Sequence, residues 1–317
     1  MFHPVGGDRP EFPMIEQISI FSGTWLNFGS LSRRVAIVLA ALALLSGCST
    51  TREVLDVAAK PQKYAALVVD AGNGKALYQS NATAPRYPAS LTKMMTMYLV
   101  FEALDAGRLS KSTLIPVSTN AAEEPPTKVG LRPGDVIDVD TALRALAVKS
   151  ANDVATAVGE YLGGSEQAFA GIMTAKARQL GMHGTRFSNA SGLPDPAQQT
   201  TARDMAVLGM ALRSRFAHHY HYFSERDFAY RGRLVRGHND MLGRVEGVDG
   251  IKTGYIRASG YNIVTSVKAG GRSLVIVVMG ADSARARNAH VEELIGRYLL
   301  QASGGSRVMS LFGRSSF

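Results

Sequence analysis

Two stretches that read as β-structure lie near opposite ends of this 317-residue chain, and together they constrain its fold more than any other feature. Tyr64–Asp70 (YAALVVD), a Gly/Asn turn at 71–74 and Lys75–Gln79 read as one hairpin. Gly260–Val267, a Gly270-Gly271 turn and Ser273–Gly280 read as a second. The last of these strands carries LVIVVM, apolar on both faces, which is the pattern of a strand in the middle of a sheet. Between the hairpins Leu91–Ala106, free of Gly and Pro and rich in Leu, Met and Ala, reads as a helix, and the apolar residues recur at helical spacing over Asp140–Leu146, Asn152–Leu162, Gln167–Leu180 and Ala202–Leu212. Ser283–Leu300 closes the pattern as a further helix. The order predicts an α/β (α+β) protein: one mainly antiparallel sheet assembled from distant segments, flanked by helices, with a helical subdomain. With 46% hydrophobic and 19% charged residues the chain can bury a sizeable core, and no internal repeat is evident.

Three short words fall at the joints of this pattern: Ser90-Leu-Thr-Lys93, Ser150-Ala-Asn152 and Lys252-Thr-Gly254. A serine three residues before a lysine is common on solvated helix faces and means little alone. In a helix, however, positions three apart share a face, so Ser90 and Lys93 can enter one cleft. A serine hydroxyl needs an adjacent base to become a nucleophile, and a lysine serves if burial beside a second cation lowers its pKa. Lys252 can be that cation. The two-residue spacing of Ser150 and Asn152 suits a bend between helices; the plainer reading is a helix N-cap.

The order of the words resembles the penicillin-recognising serine acyltransferases. The flanking residues Pro88-Ala-Ser-Leu-Thr-Lys-Met-Met, Val148-Lys-Ser-Ala-Asn-Asp-Val-Ala and Gly250-Ile-Lys-Thr-Gly-Tyr-Ile-Arg-Ala-Ser-Gly-Tyr-Asn narrow the match. They are similar to the D-alanyl-D-alanine carboxypeptidases, the low-molecular-mass penicillin-binding proteins, over about Tyr64 to Leu300. Gly130–Asp135, Gly192–Asp195 and Thr201–Asp204 add to the likeness. The resemblance implies a β-lactamase/DD-peptidase-like fold and a serine DD-carboxypeptidase that removes the terminal D-Ala of peptidoglycan stem peptides, with β-lactams as covalent inhibitors. It implies Ser90 as nucleophile, Lys93 as general base and Ser150 as proton relay. Asn152 would hold the substrate amide, Lys252 and Thr253 its terminal carboxylate, and Gly254 would let the substrate backbone approach. The backbone NH groups of Ser90 and Tyr255 would form the oxyanion hole. No cofactor and no metal are implied.

A DD-endopeptidase would use the same groups. A serine β-lactamase needs a deacylating base, and neither Glu160 nor Glu166 has the expected surroundings; a catalytically inactive wall-binding lipoprotein is the non-enzymatic alternative. His218, His219 and His221 have no suitably spaced partner for a metal, and Glu123 and Glu124, just before Pro125-Pro126, read as a solvated loop.

Arg33-Arg34 precede the short apolar run Val35–Leu45, which suits a secretory signal better than a membrane span. The run ends in Leu45-Ser46-Gly47-Cys48, which looks like a bacterial lipobox and would use the chain's single cysteine for a lipid anchor. An ordinary signal peptide, or a twin-arginine signal, is the alternative. The long segment before the arginines fits a start at Met14. The expected organisation is a leader over 1–47, a tether over 48–60, the catalytic domain over 61–302 and a loose tail over 303–317. Relatives often carry a further C-terminal β-domain and an anchor helix, and lipid on Cys48 would replace that anchor. The net charge of +9 lies wholly after the leader, where basic and acidic residues cancel. That suits an anionic wall polymer or membrane surface, and no nucleic-acid module is visible. The expected location is the periplasmic face of a bacterial membrane, with Ser49 agreeing with outer-membrane sorting.

Overall fold

In the computed structural model, which describes residues 63–304, the two distant hairpins meet in one antiparallel sheet. Its first strands are β1 (Ala65–Asp70) and β2 (Ala76–Ser80). Two small pairings follow, β3 (Leu114–Pro116) with β4 (Val136–Asp138) and β5 (Asp227–Tyr230) with β6 (Arg233–Arg236). The sheet is completed by β7 (Val248–Ile256), β8 (Gly260–Ala269) and β9 (Arg272–Ala281), in the order β2-β1-β9-β8-β7. The strand that carries LVIVVM is therefore central, as its two apolar faces predict. Leu274, Ile276 and Val278 face one apolar cluster, and Val275, Val277 and Met279 the other. Each such buried side chain contributes about 1.5–3 kcal/mol.

The helices are α1 (Lys93–Asp105), α2 (Thr119–Glu123), α3 (Val139–Arg144), α4 (Asn152–Gly163), α5 (Glu166–Gln179), α6 (Ala202–Arg215) and α7 (Ala284–Tyr298). Helix α7 covers one face of the sheet through Val291, Leu294 and Ile295. The opposite face meets α6 and the helical block around α1. Helix α1 is buried on almost every side, from Met94 to Ala103, because its Met, Leu, Val and Phe residues leave no polar stripe. The side chains of Ser118, Asp138, Ser165, Thr201 and Ser283 each accept the backbone NH three residues on, capping α2, α3, α5, α6 and α7.

Two departures from the periodicity matter for the site. The helix predicted from Leu91 begins instead as a 3-10 turn, Ala89–Thr92, before α1 proper. The helix predicted to run through Leu146 changes to a wider turn over Ala145–Lys149 and stops at Ser150, which adopts the left-handed conformation, φ 60° and ψ 38°. Apolar spacing is similar in these turn types, so the sequence does not distinguish them. At the far end, the backbone NH and Oγ of Ser303 both donate to Asp70 Oδ2 at 2.8 Å, fastening that segment to the end of β1. Among the described residues no helix is long and apolar enough to cross a membrane. The expected leader, Cys48 and the tether lie outside the described residues.

Candidate active site

The 3-10 turn presents Ser90 at the mouth of a cleft of about 470 Å³ and places Lys93 directly behind it. Lys93 is fully buried as the first residue of α1. Its Nζ lies 3.2 Å from Ser90 Oγ, 2.7 Å from Asn152 Oδ1 and 2.5 Å from the Ser191 carbonyl oxygen. A neutral lysine amine has two hydrogens and one lone pair. The two shorter contacts go to atoms that can only accept, so they take the hydrogens. The lone pair is left for the Ser90 hydroxyl, which is the arrangement a general base requires.

The electrostatics favour that neutral form. Burial, then the charge of Lys252, holds Lys93 well below the usual lysine range. Lys252 is itself pushed down to about 7 by burial and then by Arg287, and burial lowers Arg287 to about 10. Among the described residues none of the three has a carboxylate within ion-pair distance. The cation that stays charged through the physiological range is thus Arg287.

Ser150 does not cap α4; the N-cap is Ala151, with no side-chain bond. The left-handed bend turns Ser150 toward the cleft instead, where its buried Oγ has no hydrogen-bond partner among the described residues. Asn152 ties the cleft's helical wall together. Its Oδ1 accepts from Lys93, its Nδ2 donates to the Pro125 carbonyl at 2.8 Å and its backbone NH to Thr127 at 2.7 Å. One Nδ2 hydrogen and one Oδ1 lone pair stay uncommitted at the cleft wall. The adjacent Asp153 carboxylate accepts from the backbone NH groups of Val129, Gly130 and Leu131, holding the loop beside it.

The other wall is the edge strand β7, which carries the third word. Thr253, Gly254 and Tyr255 line the cleft, while Lys252 lies behind them and donates to the Thr253 carbonyl at 2.9 Å. A Cβ on Gly254 would come within 3.0–3.2 Å of Ser90 N, Leu91 N and the Pro88 carbonyl oxygen. Only a glycine lets the Ala89–Thr92 turn sit this close to the strand. Asn262 on β8 fixes the same turn, donating to the carbonyls of Tyr87 and Pro88 at 3.0 and 3.2 Å. The Tyr255 side chain is half-exposed and packs on Tyr261.

Several residues of the site carry no signal in the three words. Arg287, on the first turn of α7, lines the cleft although it is 3% exposed. Two of its nitrogens donate to Asn288 Oδ1, at 2.7 and 3.0 Å, so the guanidinium is oriented without being neutralised. His238 and Asp240 also line the cleft. Glu124 corrects the reading of residues 123–124 as a solvated loop: Glu123 is exposed, but Glu124 is half-buried and accepts from Thr156 Oγ1 at 2.8 Å. Burial pushes its carboxyl above the usual range. Glu166 accepts from Thr156 and from the Ala190 backbone NH, and Glu160 from Ser118 and Asn120, so neither is directed into the cleft.

A central antiparallel sheet with a buried Ser-x-x-Lys helix against one face defines the fold class of the serine DD-peptidases and β-lactamases. Residues 49–283 match the peptidase S11 family, D-alanyl-D-alanine carboxypeptidase, and the chain belongs to that family. It is 34% identical to D-alanyl-D-alanine carboxypeptidase DacA of Escherichia coli K12 over 236 residues, 72% of this chain and 59% of the relative. It is likewise 34% identical to DacF of Bacillus subtilis 168, over 73% of this chain and 60% of the relative. The chain thus spans about three fifths of the length of these curated relatives. Among solved structures, the carboxypeptidase DacD of Francisella tularensis superposes with a TM-score of 0.71 at 29% identity, covering 75% of this chain and 70% of the other. Penicillin-binding protein D2 of Listeria monocytogenes, in its ampicillin-bound form, gives 0.68 at 30% identity, covering 73% and 95%.

Proposed function

We propose that this protein is a serine DD-carboxypeptidase that removes the terminal D-Ala of peptidoglycan stem peptides through a Ser90 acyl-enzyme and is trapped by β-lactams. The observation that carries the reading is the wiring of Lys93, whose hydrogens are committed to Asn152 and Ser191 and whose lone pair meets Ser90 Oγ. Ser90 attacks the penultimate D-Ala carbonyl and gives its proton to Lys93. The backbone NH groups of Ser90 and Tyr255 receive the developing oxyanion. Ser150, with its Oγ unpartnered on the cleft wall, relays the proton to the leaving D-alanine amine. Water then hydrolyses the ester, with Lys93 again the base. Thr253 and Arg287 hold the substrate's terminal carboxylate, with Lys252 contributing its charge from behind.

Asp240 is the one carboxylate lining the cleft among the described residues, and Glu124 and Glu166 are held elsewhere. That supports slow release of a penicilloyl group, hence inhibition instead of antibiotic turnover. The lipobox-like 45–48 segment and the basic charge support export and a lipid anchor on Cys48 at the periplasmic face of a membrane.

Labelling with a fluorescent penicillin tests the acyl-enzyme. The expected result is one covalent adduct, absent in Ser90→Ala; an adduct that survives the substitution overturns the mechanism. Incubation with a pentapeptide and with a cross-linked peptide dimer tests the substrate. D-alanine release from the pentapeptide supports the reading, and preferential cleavage of the dimer replaces it with a DD-endopeptidase.

A further inference from the structure

At the opposite end of α1 from Lys93 lies a cluster that the acyl-transfer chemistry does not use. Asp105, the last residue of the helix, accepts on one carboxylate oxygen, Oδ1, from Nε2 of both His218 (2.8 Å) and His219 (2.9 Å). The three ligand atoms lie within 4.8 Å of one another. The sequence hides this partner, because Asp105 is 113 residues from His218. His221, the third histidine of the run, turns away and bonds the His218 carbonyl.

We propose that Asp105, His218 and His219 form a binding site for a divalent transition-metal ion of the zinc type. Two imidazole nitrogens and one carboxylate oxygen make a donor set suited to Zn²⁺, with solvent completing the coordination. With bonds of about 2.0–2.2 Å, ligand atoms around a tetrahedral ion stand about 3.3 Å apart. The present N–O separations need to open by only about 0.5 Å to admit one. Each neutral imidazole would move its proton from Nε2 to Nδ1 and present the Nε2 lone pair.

Three further features prepare the cluster. The His219 ring is stacked on Phe101 (5.0 Å between centroids, 18° between planes), one helical turn before Asp105, so its Nε2 is fixed in direction. The side chains of His218 and Asp105 are 58% and 39% exposed, which leaves an open side for water ligands. Finally, Asp105 stands at a helix C-terminus, where a carboxylate opposes the helix dipole and a cation is favoured. The positive group facing the cluster is Lys111, near enough to act on His219 but lying over the Tyr222 ring. A bound ion would clip the end of the nucleophile helix to the 217–224 segment. Ser224 Oγ in turn donates to the Asp249 carbonyl on β7, so the clip joins the supports of both cleft walls.

The test is calorimetric titration of the full chain, stripped with EDTA, with ZnCl₂, followed by Co²⁺ absorption spectroscopy. The expected result is one saturable Zn²⁺ site of micromolar affinity and visible Co²⁺ bands. Binding should weaken roughly tenfold or more in His218→Ala and in Asp105→Asn. His221→Ala should bind as the parent does. His219 is left in place because its stacking on Phe101 is part of the core, and penicillin acylation at the parental rate shows that each variant is folded. Absence of saturable binding below millimolar Zn²⁺, or an affinity unchanged in both variants, overturns the proposal.

Discussion

The two walls of the cleft are built on opposite principles. On the helical side the polar groups are wired to one another: Lys93 to Ser90, Asn152 and Ser191, and Asn152 onward to Pro125 and Thr127. On the sheet side the cations Lys252 and Arg287 are buried and, among the described residues, have no carboxylate within ion-pair distance. A wired wall moves protons along fixed paths. An unneutralised wall keeps its charge available for an anion that arrives from outside, and the burial of that charge lowers the pKa of the lysine opposite.

If the helical wall is the proton-handling side, Lys93→Met removes the base and should slow acylation by a fluorescent penicillin by about 10²–10⁴-fold, read from the rate of adduct formation. A smaller loss would move the base function elsewhere. If the sheet wall reads a carboxylate, Arg287→Gln should lower kcat/KM for a D-Ala-D-Ala peptide by roughly 10–100-fold, as expected when a charged hydrogen-bond partner is lost. The same peptide with an amidated C-terminus should respond far less to the substitution. Equal losses on the two peptides would reduce Arg287 to a structural role. Gly254→Ala, which brings a methyl to within 3.0–3.2 Å of the nucleophile turn, should displace Ser90 by a few tenths of an ångström. The expected cost is about tenfold in acylation, with unfolding by heat little changed.

The smallest expected effect tests whether the walls communicate. Removing the like charge in Lys252→Gln takes away one cause of the low Lys93 pKa, so Lys93 stays protonated to higher pH. The acid limb of the acylation-rate profile should therefore move upward. In the parent protein, as pH rises through about 7, Lys252 loses its proton while Arg287, at about 10, keeps its own. KM for a carboxylate-bearing substrate should accordingly climb above pH 7 without becoming prohibitive, and this climb should vanish in Lys252→Gln.

What the sequence shows of this design follows the same division. The central strand, both hairpins and the three words are legible because each depends on side chains at short, regular spacing. The left-handed Ser150 was foreshadowed by its spacing of two from Asn152, which no helix face satisfies. Ser191 is invisible beforehand because it acts through a backbone carbonyl, which every residue possesses. Arg287 sits in a helix, ARARNAHVEEL, whose charged residues read as a solvated face. Its burial follows only from the docking of α7 on the face of the sheet, which brings Arg287 beside Asn262. Glu124 likewise reads as solvated until Thr156 is brought beside it.

The pairing of β1 with β9 sets Ala65 against Met279, so the central contact of the sheet joins residues that are synthesised far apart. Such non-local pairings make folding slow, since a long loop must close before any contact rewards it. Without β9, the β7–β8 hairpin that carries Lys252, Thr253 and Gly254 has no strand to join it to β1 and β2. A nascent or clipped chain that ends before β9 thus carries all three sequence words but lacks both the strand that joins β8 to β1 and the helix that brings Arg287 to the cleft. For the proposed acyl transfer, a complete site thus requires that the two ends of the sheet have met.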